Sequence, residues 1–277
     1  FEKMLIDKLN YLVDKNTLAN NPGGLLRAYQ LTGKFTSFKK MGKQCGFLFY
    51  IPAWNTSKMD PVTGFVNLLD TRYENIEKSK SFFGKFDSIR YNKEKDWFEF
   101  KLDYNNFTAK AEGTRTKWTL CTYGKRIWTH RVAENNNQFV SEEIDLTAKF
   151  IELFKNYGID VKGDLKELIK KQSSKEFFIE LLHLLKLTLQ MRNSVTGSEV
   201  DYLQSPVSDE NGVFYNSEDA NESLPENADA NGAYNIARKG LWVINQIKQA
   251  SDLKKIDLAI SNKEWLKFAQ EKPYLKD

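Results

Sequence analysis

A leucine-rich segment between Ser173 and Met191 is the strongest constraint on how this chain can fold. Ser173 and Glu176 have the spacing of a capping box, which predicts that a helix begins there. Apolar residues then occupy most positions of that helix, including Leu181, Leu182, Leu185 and Leu189. A helix that is apolar on most sides has to be covered by other elements. The chain must therefore build a substantial core around this segment.

Composition agrees with a globular protein. The 277 residues are 41% hydrophobic and 13% aromatic, which leaves room for two domains with cores of their own. No apolar run reaches the ~20 residues that a membrane span needs. The chain opens on Phe1 without an initiator Met or a signal peptide, so we expect its start to be a cut. Cys45 and Cys121 lack any C-x-x-C spacing, which predicts two reduced thiols of a cytoplasmic protein.

The two ends of the chain have the pattern of an α/β domain. Apolar residues at helical spacing predict a helix over Phe1–Val13, and the unbroken apolar run Gly46–Pro52 predicts a strand covered on both faces. Ser261 and Glu264 form another potential capping box, which predicts the start of the last helix.

The middle of the chain has mixed periodicity, which indicates an insertion between those ends. Residues Trp97–Leu102 alternate strictly, and Trp118–Tyr123 is expected to pair with Arg126–Thr129 across Gly124. Residues 204–227, rich in Ser, Asn, Asp, Glu and Pro, predict an irregular acidic loop. Shorter helices are expected at Phe150–Tyr157, ended by Gly158, and directly after Asp164.

The stretch Asn227–Gly240 reads N-A-D-A-N-G-A-Y-N-I-A-R-K-G and places one carboxylate, Asp229, at the start of a predicted helix. The expected apolar positions of this helix are Ile236, Ala237, Val243 or Ile244, and Ile247. An acid in this position suits Mg²⁺, which takes few protein carboxylates and shares its other sites with water and phosphate oxygens. The alternative is that Asp229 only caps the helix.

Arg192 follows the leucine-rich segment, and Asp201 follows after the turn at Gly197. A cation near the last carbonyls of a helix is favoured by the helix dipole, so Arg192 is a candidate C-terminal cap.

The excess of basic over acidic residues lies in the terminal segments, where residues 1–66 carry nine Lys and Arg against four acids. The densest patch interleaves lysines with Phe35 and Phe38 and comprises Lys34, Lys39, Lys40 and Lys43, with Lys58 nearby. Such a patch suits phosphate contacts with a nucleic acid. A solvated lysine-rich loop is the alternative.

Several kinds of catalytic chemistry find no support in the sequence. His130 and His183 are the only histidines and lie in different contexts, so a histidine-based HNH nuclease is not indicated. His183 lies within the leucine-rich helix and is expected to be a packed residue. The chain also lacks Cys/His zinc spacing, a phosphate-binding P-loop and a G-x-S-x-G elbow. Carboxylate–metal chemistry remains the best supported option.

Seven motifs in register resemble the C-terminal part of type V-A CRISPR effectors, the Cpf-type RNA-guided DNA endonucleases. They lie at Phe1–Val13, Tyr29–Thr32, Phe35–Gly42, Gly46–Ala53, T-S-K-M-D-P-V-T-G-F-V-N (Thr56–Asn67), L-Q-M-R-N-S (Leu189–Ser194) and A-D-A-N-G-A-Y-N-I-A (Ala228–Ala237). The resemblance covers nearly the whole chain. It implies an α/β fold in which a partial RNase H-like RuvC domain is interrupted by a mixed α+β Nuc domain. The implied divisions are RuvC at 1–66 and 223–277, with Nuc at 67–222.

The resemblance also implies a metal-dependent DNA endonuclease of bacterial antiviral defence, located in the cytoplasm. Three RuvC acids would hold two Mg²⁺ ions, and Asp229 matches the third, while the other two are expected before Phe1. The family often has D-A-D-A-N-G where this chain begins the motif with Asn227, which leaves Asp229 as the single acid there. The 277 residues alone are therefore expected not to cut DNA.

In the family's arrangement, the arginine of L-Q-M-R-N-S faces the RuvC cleft, so Arg192 is expected to hold a phosphate of the strand to be cut. Asp201 is expected to orient Arg192 or to help handle the strand. The implied partners are the crRNA, the target DNA and the N-terminal remainder of the same polypeptide, with no membrane. A binder of single-stranded nucleic acid of the same ancestry, without cutting activity, is the alternative.

Overall fold

The structure, a computed structural model, describes Leu18, Asn21 and residues 51–132, 138–251 and 259–272. The chain divides into two compact units. One is the continuous segment Ser57–Gly232, and the other combines Phe1–Thr56 with Ala233–Asp277. The domain limits expected at residues 66 and 222 stay predictions. None of the described helices is both long and apolar enough to cross a bilayer.

Unit 57–232 contains eight described strands in three small antiparallel sheets. The first sheet has the order β1 (Ser88–Asn92), β2 (Trp97–Asp103), β3 (Lys117–Cys121). The second pairs β4 (Lys125–Val132) with β5 (Gln138–Asp145). The third has the order β6 (Arg192–Ser194), β7 (Asp201–Ser208), β8 (Phe214–Asn216).

The described residues also form six helices. Four lie within unit 57–232 and are α1 (Ile76–Gly84), α2 (Leu146–Asn156), α3 (Lys166–Lys171) and α4 (Lys175–Thr188). Helix α5 (Ala228–Gln249) begins in this unit, and α6 (Asn262–Glu271) belongs to the other. The result is a mixed α and β protein with small antiparallel sheets, as expected for the inserted domain.

Helix α4 is the predicted leucine-rich helix and lies in the main core, where it packs against α2. The cap is one residue later than predicted, because the Ser174 hydroxyl accepts the Phe177 N–H at 3.1 Å. The helix also ends at Thr188 rather than Met191. Arg192 is therefore not its C-terminal cap. The carbonyl of Thr188 instead accepts from the buried Arg126, with Nη2 at 3.4 Å.

Strand β2 confirms the predicted alternation, since Phe98, Phe100 and Leu102 are all buried. The predicted hairpin between Trp118–Tyr123 and Arg126–Thr129 is wrong. Strand β3 pairs with β2, and β4 pairs along its whole length with β5. Gly124 does form a left-handed turn at φ +75°, but long-range pairing decides the partners of both strands.

The acidic segment 204–227 is not an irregular loop throughout, because it contains the end of β7 and all of β8. The sequence is misleading here because Gln204 and Ser205 are polar yet almost fully buried. Ser205 Oγ lies 2.6 Å from the carboxylate of Asp60, and this buried hydrogen bond replaces the apolar contact that a strand pattern normally shows.

Helix α5 buries a different face from the predicted one. Val243 and Ile247 are buried as expected, whereas Ile236 and Ile244 are 39% and 38% exposed, and Ala237 is exposed as well. Asn235 is buried instead and donates to Thr56 O at 2.8 Å. Backbone carbonyls of an irregular segment need donors, so polar side chains occupy the buried face of this helix.

Further along α5, in the second unit, another polar side chain donates to backbone carbonyls. Lys239 Nζ donates to Pro52 O at 2.6 Å and to Trp54 O at 3.0 Å, and burial lowers the pKa of Lys239 to about 8. The predicted capping box at the start of α6 is confirmed for Ser261 and Glu264. The predicted helix Phe1–Val13, Cys45 and residues 46–50 of the predicted strand Gly46–Pro52 lie outside the described residues. The last two residues of that prediction, Ile51 and Pro52, are described and are not in a strand.

The loop that opens unit 57–232 is organised by the buried carboxylate of Asp60, which is 0% exposed. Its Oδ1 accepts the N–H groups of Val62 at 2.7 Å and Thr63 at 3.1 Å. Its Oδ2 accepts the hydroxyls of Thr63 at 2.8 Å and Ser205 at 2.6 Å. Burial raises the pKa of Asp60, while these four donors stabilise the ionised form. The motif Thr56–Asn67 thus forms a turn, and the hydrogen bond from Ser205 connects this turn to β7.

We expect Asp60→Ala to lower the free energy of unfolding, because it leaves buried donors without an acceptor at about 1–3 kcal/mol for each one. Urea unfolding of the 277-residue chain measures this. Asp70→Ala is the matched control, since Asp70 also accepts a local N–H, from Arg72 at 3.1 Å, but is exposed. Equal destabilisation by both substitutions would contradict a structural role for the buried carboxylate.

Candidate nuclease site

Strand β6 holds Arg192 in a defined position through its two polar neighbours. Asn193 is 0% exposed, and its Oδ1 accepts the N–H of Ile127 at 3.0 Å. Gln190 Nε2 donates to Ile127 O at 3.0 Å and to Asn193 Oδ1 at 3.2 Å. These side chains join the motif L-Q-M-R-N-S to β4 without a continuous strand ladder. They leave Arg192 between them on the exposed side of β6.

Arg192 forms a two-pronged ion pair with Asp201 of β7. Arg192 Nε donates to Asp201 Oδ1 and Nη2 donates to Oδ2, both at 2.8 Å. The residues are diagonal neighbours, since Arg192 lies opposite Leu203 and Ser194 lies opposite Asp201. The hydrogen bonds with Asp201 raise the pKa of Arg192. The guanidinium is charged and held by one edge only.

Asp229 faces the other edge of the same guanidinium. Arg192 Nη1 lies 3.9 Å from Asp229 Oδ1, and the side chain of Asp229 is 92% exposed while that of Arg192 is 48% exposed. The sequence thus contained three separate candidate residues, and the structure brings Arg192, Asp201 and Asp229 together at one place on unit 57–232.

Asp229 is not the cap of α5, which removes the alternative interpretation of this residue. Asn227 has that role, because its Oδ1 accepts the Ala230 N–H at 2.9 Å and its carbonyl accepts the Asn231 N–H at 2.9 Å. Asp229 lies in the first turn of the helix with its carboxylate in solvent. The positive end of the helix dipole favours an anion in this turn.

A small apolar cluster fixes the distance between α5 and β6. Ala228 is 0% exposed and packs with Met191, Leu203 and Tyr215. Met191 precedes Arg192, and Leu203 lies opposite it across the sheet. The small side chain of Ala228 therefore lets the start of α5 approach the strand that carries Arg192.

Lys58 is the one residue of the predicted basic patch among the described residues, and it is exposed. The carbonyls on either side of it, Ser57 O and Met59 O, accept from Asn231 Nδ2 at 3.2 and 3.0 Å. The backbone around Lys58 is thereby bonded to Asn231 of α5, which lies two residues after Asp229. Lys34, Lys39, Lys40 and Lys43 lie outside the described residues.

The described residues contain no group of three or more His, Cys, Asp or Glu side chains that could enclose a metal ion. The Asp229 carboxylate offers oxygen atoms of the kind that Mg²⁺ prefers, and its exposure leaves room for water and phosphate. One carboxylate fits one position of a magnesium site and does not complete it. The further ligands would have to come from residues beyond the described part of the chain.

The two histidines, which the sequence places in different contexts, meet at one tryptophan. The Trp128 ring centroid lies 4.0 Å from that of His130 and 5.4 Å from that of His183. His130 Nδ1 is 3.9 Å from Glu142 Oε1. Burial lowers the pKa of His183, and Lys186 and His130 add to the effect. The expectation of a packed His183 agrees with this position against the core.

A family model described as a nuclease domain, NUC, matches residues 59–219. The match includes Arg192, Asp201 and the motif around Asp60, and it ends before α5 and Asp229. It falls within the unit 57–232 that the structure delimits.

We expect His183 to make folding stability depend on pH near neutrality. Its folded pKa is below the unfolded value of 6.5, so the unfolded state binds more protons in acid. Its contribution is complete above pH 6.5 and is lost as the pH falls through the folded pKa. Urea unfolding of the chain and of His183→Gln at pH 7.5 and 5.5 measures the difference. An unchanged fall in stability in His183→Gln would contradict this assignment.

Proposed function

Since the chain belongs to the NUC nuclease-domain family, the Nuc domain of type V-A CRISPR effectors, we propose that it is the C-terminal nuclease portion of an RNA-guided DNA endonuclease. In this role, Arg192 guides the strand to be cut, and Asp229 is an acid of a RuvC site that hydrolyses phosphodiester bonds. The observation that carries the proposal is the position of the Arg192 guanidinium between Asp201 and Asp229.

The ion pair with Asp201 leaves part of the guanidinium available. Nε and one N–H of Nη2 are directed at Asp201, so the remaining N–H groups belong to Nη1 and to the outer side of Nη2. A phosphate oxygen bound by these groups lies on the side of Asp229, because Nη1 is 3.9 Å from Asp229 Oδ1. A planar two-pronged donor suits phosphate better than a lysine ammonium does.

We propose that Asp229 holds Mg²⁺ together with two RuvC acids from the preceding part of the same polypeptide, in an RNase H-like arrangement. When bound, two such ions supply Lewis acidity and an activated water for phosphodiester hydrolysis. Asp229 contributes an anionic oxygen at an exposed position, and Arg192 neutralises part of its charge at 3.9 Å. Asp201 keeps Arg192 from moving onto Asp229, since it holds Nε and Nη2 at 2.8 Å.

The remaining partners are proposed from the resemblance to type V-A effectors. We propose that the effector binds a crRNA and a target DNA in the bacterial cytoplasm, with base pairing selecting the sequence. Lys58, exposed beside the first turns of α5, and the lysines 34, 39, 40 and 43 are proposed to contact phosphates of the nucleic acid.

In the full-length effector, we expect Asp229→Ala to abolish cutting of both DNA strands while guided DNA binding stays almost unchanged, because one metal site serves both cuts. Cleavage time courses and binding measured in parallel test this. Asp160→Ala is a control acid in the same unit, exposed and distant in sequence from the site. Normal cutting of either strand by the Asp229 variant would point to a second active site. If the wild-type effector bound DNA but did not cut it, the alternative of a nucleic-acid-binding protein without nuclease activity would be favoured.

We expect Arg192→Ala to slow cutting of the guide-paired strand more than cutting of the displaced strand. A charge-assisted hydrogen bond is worth about 1.5–3 kcal/mol, so the slowing should be at least about tenfold. The displaced strand is already single, whereas the guide-paired strand must be bent into the site and depends more on guidance. Separately labelled strands distinguish the two rates.

Arg72→Ala is the matched control for that experiment. Arg72 forms the same two-pronged pair with a nearby aspartate, with Nε 2.9 Å from Asp70 Oδ1, but lies apart from Asp229 in an exposed loop. It should leave both rates unchanged. Equal slowing of both strands by Arg192→Ala would argue against guidance, and no slowing of either would leave Arg192 as a purely structural partner of Asp201.

A further inference from the structure

An aromatic cavity of about 450 Å³ lies beside strand β8 in unit 57–232. Its walls include the exposed or half-buried rings of Trp97, Tyr123 and Phe214, the buried Tyr215, and two carboxylates, from Asp209 and Asp219. None of the described residues that line it is basic. The proposed cutting site does not use this cavity, because Arg192, Asp201 and Asp229 are all absent from its lining.

The three rings form a rigid platform rather than a loose group. Tyr123 and Phe214 are stacked with centroids 4.3 Å apart and planes 17° apart. Trp97 is nearly perpendicular to both rings, 5.7 Å from Tyr123 and 5.4 Å from Phe214. It therefore lies across the edges of the stacked pair. Its indole N–H is 3.3 Å from Glu99 Oε1, which fixes its orientation.

The turn that carries Phe214 is equally well defined. Asp209 Oδ1 accepts the N–H groups of Asn211 at 2.8 Å and Val213 at 2.9 Å, and Gly212 has φ +79°. Val213 is 61% exposed at its end. Tyr123 remains 40% exposed although one of its faces is covered by Phe214. An open aromatic face and an apolar rim are thus held in place before any partner arrives.

The charge of this surface indicates the kind of partner. Aromatic faces are the negative ends of ring quadrupoles, and the two lining carboxylates add to the negative potential. A surface of this kind prefers cations, and one is already present, since Lys95 Nζ lies 5.4 Å from the Trp97 ring centroid. A nucleic acid would bring phosphates toward Asp209 and Asp219, which is unfavourable. A guanidinium stacks flat on an aromatic ring and pairs with carboxylates through its edge.

We propose that this cavity is a docking site for an arginine side chain of a basic polypeptide segment. The guanidinium stacks on the open face of Tyr123 and donates to the carboxylates of Asp209 and Asp219. The neighbouring residues of the segment contact Val213. The surface would hold a separate protein that carries this segment against the nuclease unit, without taking part in hydrolysis.

The test uses the 277-residue chain with fluorotryptophan at its six tryptophan positions, observed by ¹⁹F NMR. The signal of Trp97 is assigned by its loss in Trp97→Phe. The probes are the peptide acetyl-Gly-Arg-Gly-amide, the same peptide with lysine, the same peptide with neutral citrulline, and an oligothymidine. We expect the arginine peptide to shift the Trp97 signal saturably, the lysine peptide to bind more weakly, and the citrulline peptide and the oligonucleotide to leave it unchanged.

Variants then separate the cavity from general charge attraction. Asp219→Asn and Tyr123→Leu should each weaken binding of the arginine peptide, by about tenfold for the lost charge-assisted hydrogen bond in Asp219→Asn. Asp160→Asn removes an exposed acid elsewhere, one paired with Lys162 at 3.1 Å, and should change nothing. Equal binding of the citrulline peptide, equal loss in Asp160→Asn, or a Trp97 shift caused only by the oligonucleotide would each overturn the proposal.

Discussion

The hydrogen bonds to the buried Asp60 carboxylate are the interaction on which the arrangement of the candidate site depends. A buried carboxyl group is tolerated only when hydrogen bonds replace its hydration, and here four donors do so. One of them is Ser205 of β7, the strand that also carries Asp201. The carbonyls of Ser57 and Met59, just before Asp60, accept from Asn231 of α5. One short loop is thereby bonded both to the strand that bears Asp201 and to the helix that bears Asp229.

Buried polar groups, rather than apolar packing alone, set the geometry around Arg192. The side chains of Asn193 and Gln190 bond to the backbone of Ile127 in β4, in place of backbone hydrogen bonds between β6 and β4. The side chain of Arg126, also in β4, donates to the carbonyl of Thr188 at the end of α4. Arg126 also donates to Tyr123 O and Lys125 O, at 3.1 and 2.9 Å, and burial lowers its pKa to about 10. Such groups are costly when unpaired, so they permit fewer alternative packings than leucines do. That rigidity holds the guanidinium of Arg192 in one place.

Local patterns in the sequence predicted what is determined locally. The alternation in β2 and the capping box of α6 depend on neighbours in the chain, and both are confirmed. Strand β3 pairs with β2 and strand β4 pairs with β5, so neither strand pairs with its neighbour across Gly124. The turn signal at Gly124 therefore did not predict the pairing. The polar buried faces of β7 and α5 were missed because Ser205 and Asn235 meet backbone and carboxylate groups far away in sequence. The resemblance offered the pairing of Asp201 with Arg192, seen at 2.8 Å, as one of two alternatives, but the approach of Arg192 to Asp229 at 3.9 Å was not predicted.

On the proposed function, the use of arginine at position 192 has a geometric reason. Asp201 engages the Nε edge of the guanidinium, and a planar group bound by one edge can rotate very little. The open N–H groups then point to the side where Asp229 lies, so a phosphate cannot be bound by Arg192 without being brought next to that carboxylate. A lysine paired with Asp201 would have its charge largely neutralised by the aspartate. Its ammonium group could also rotate, so that its other N–H donors would have no fixed direction. The ion pair with Asp201 therefore converts a general attraction for DNA into a preferred direction of approach.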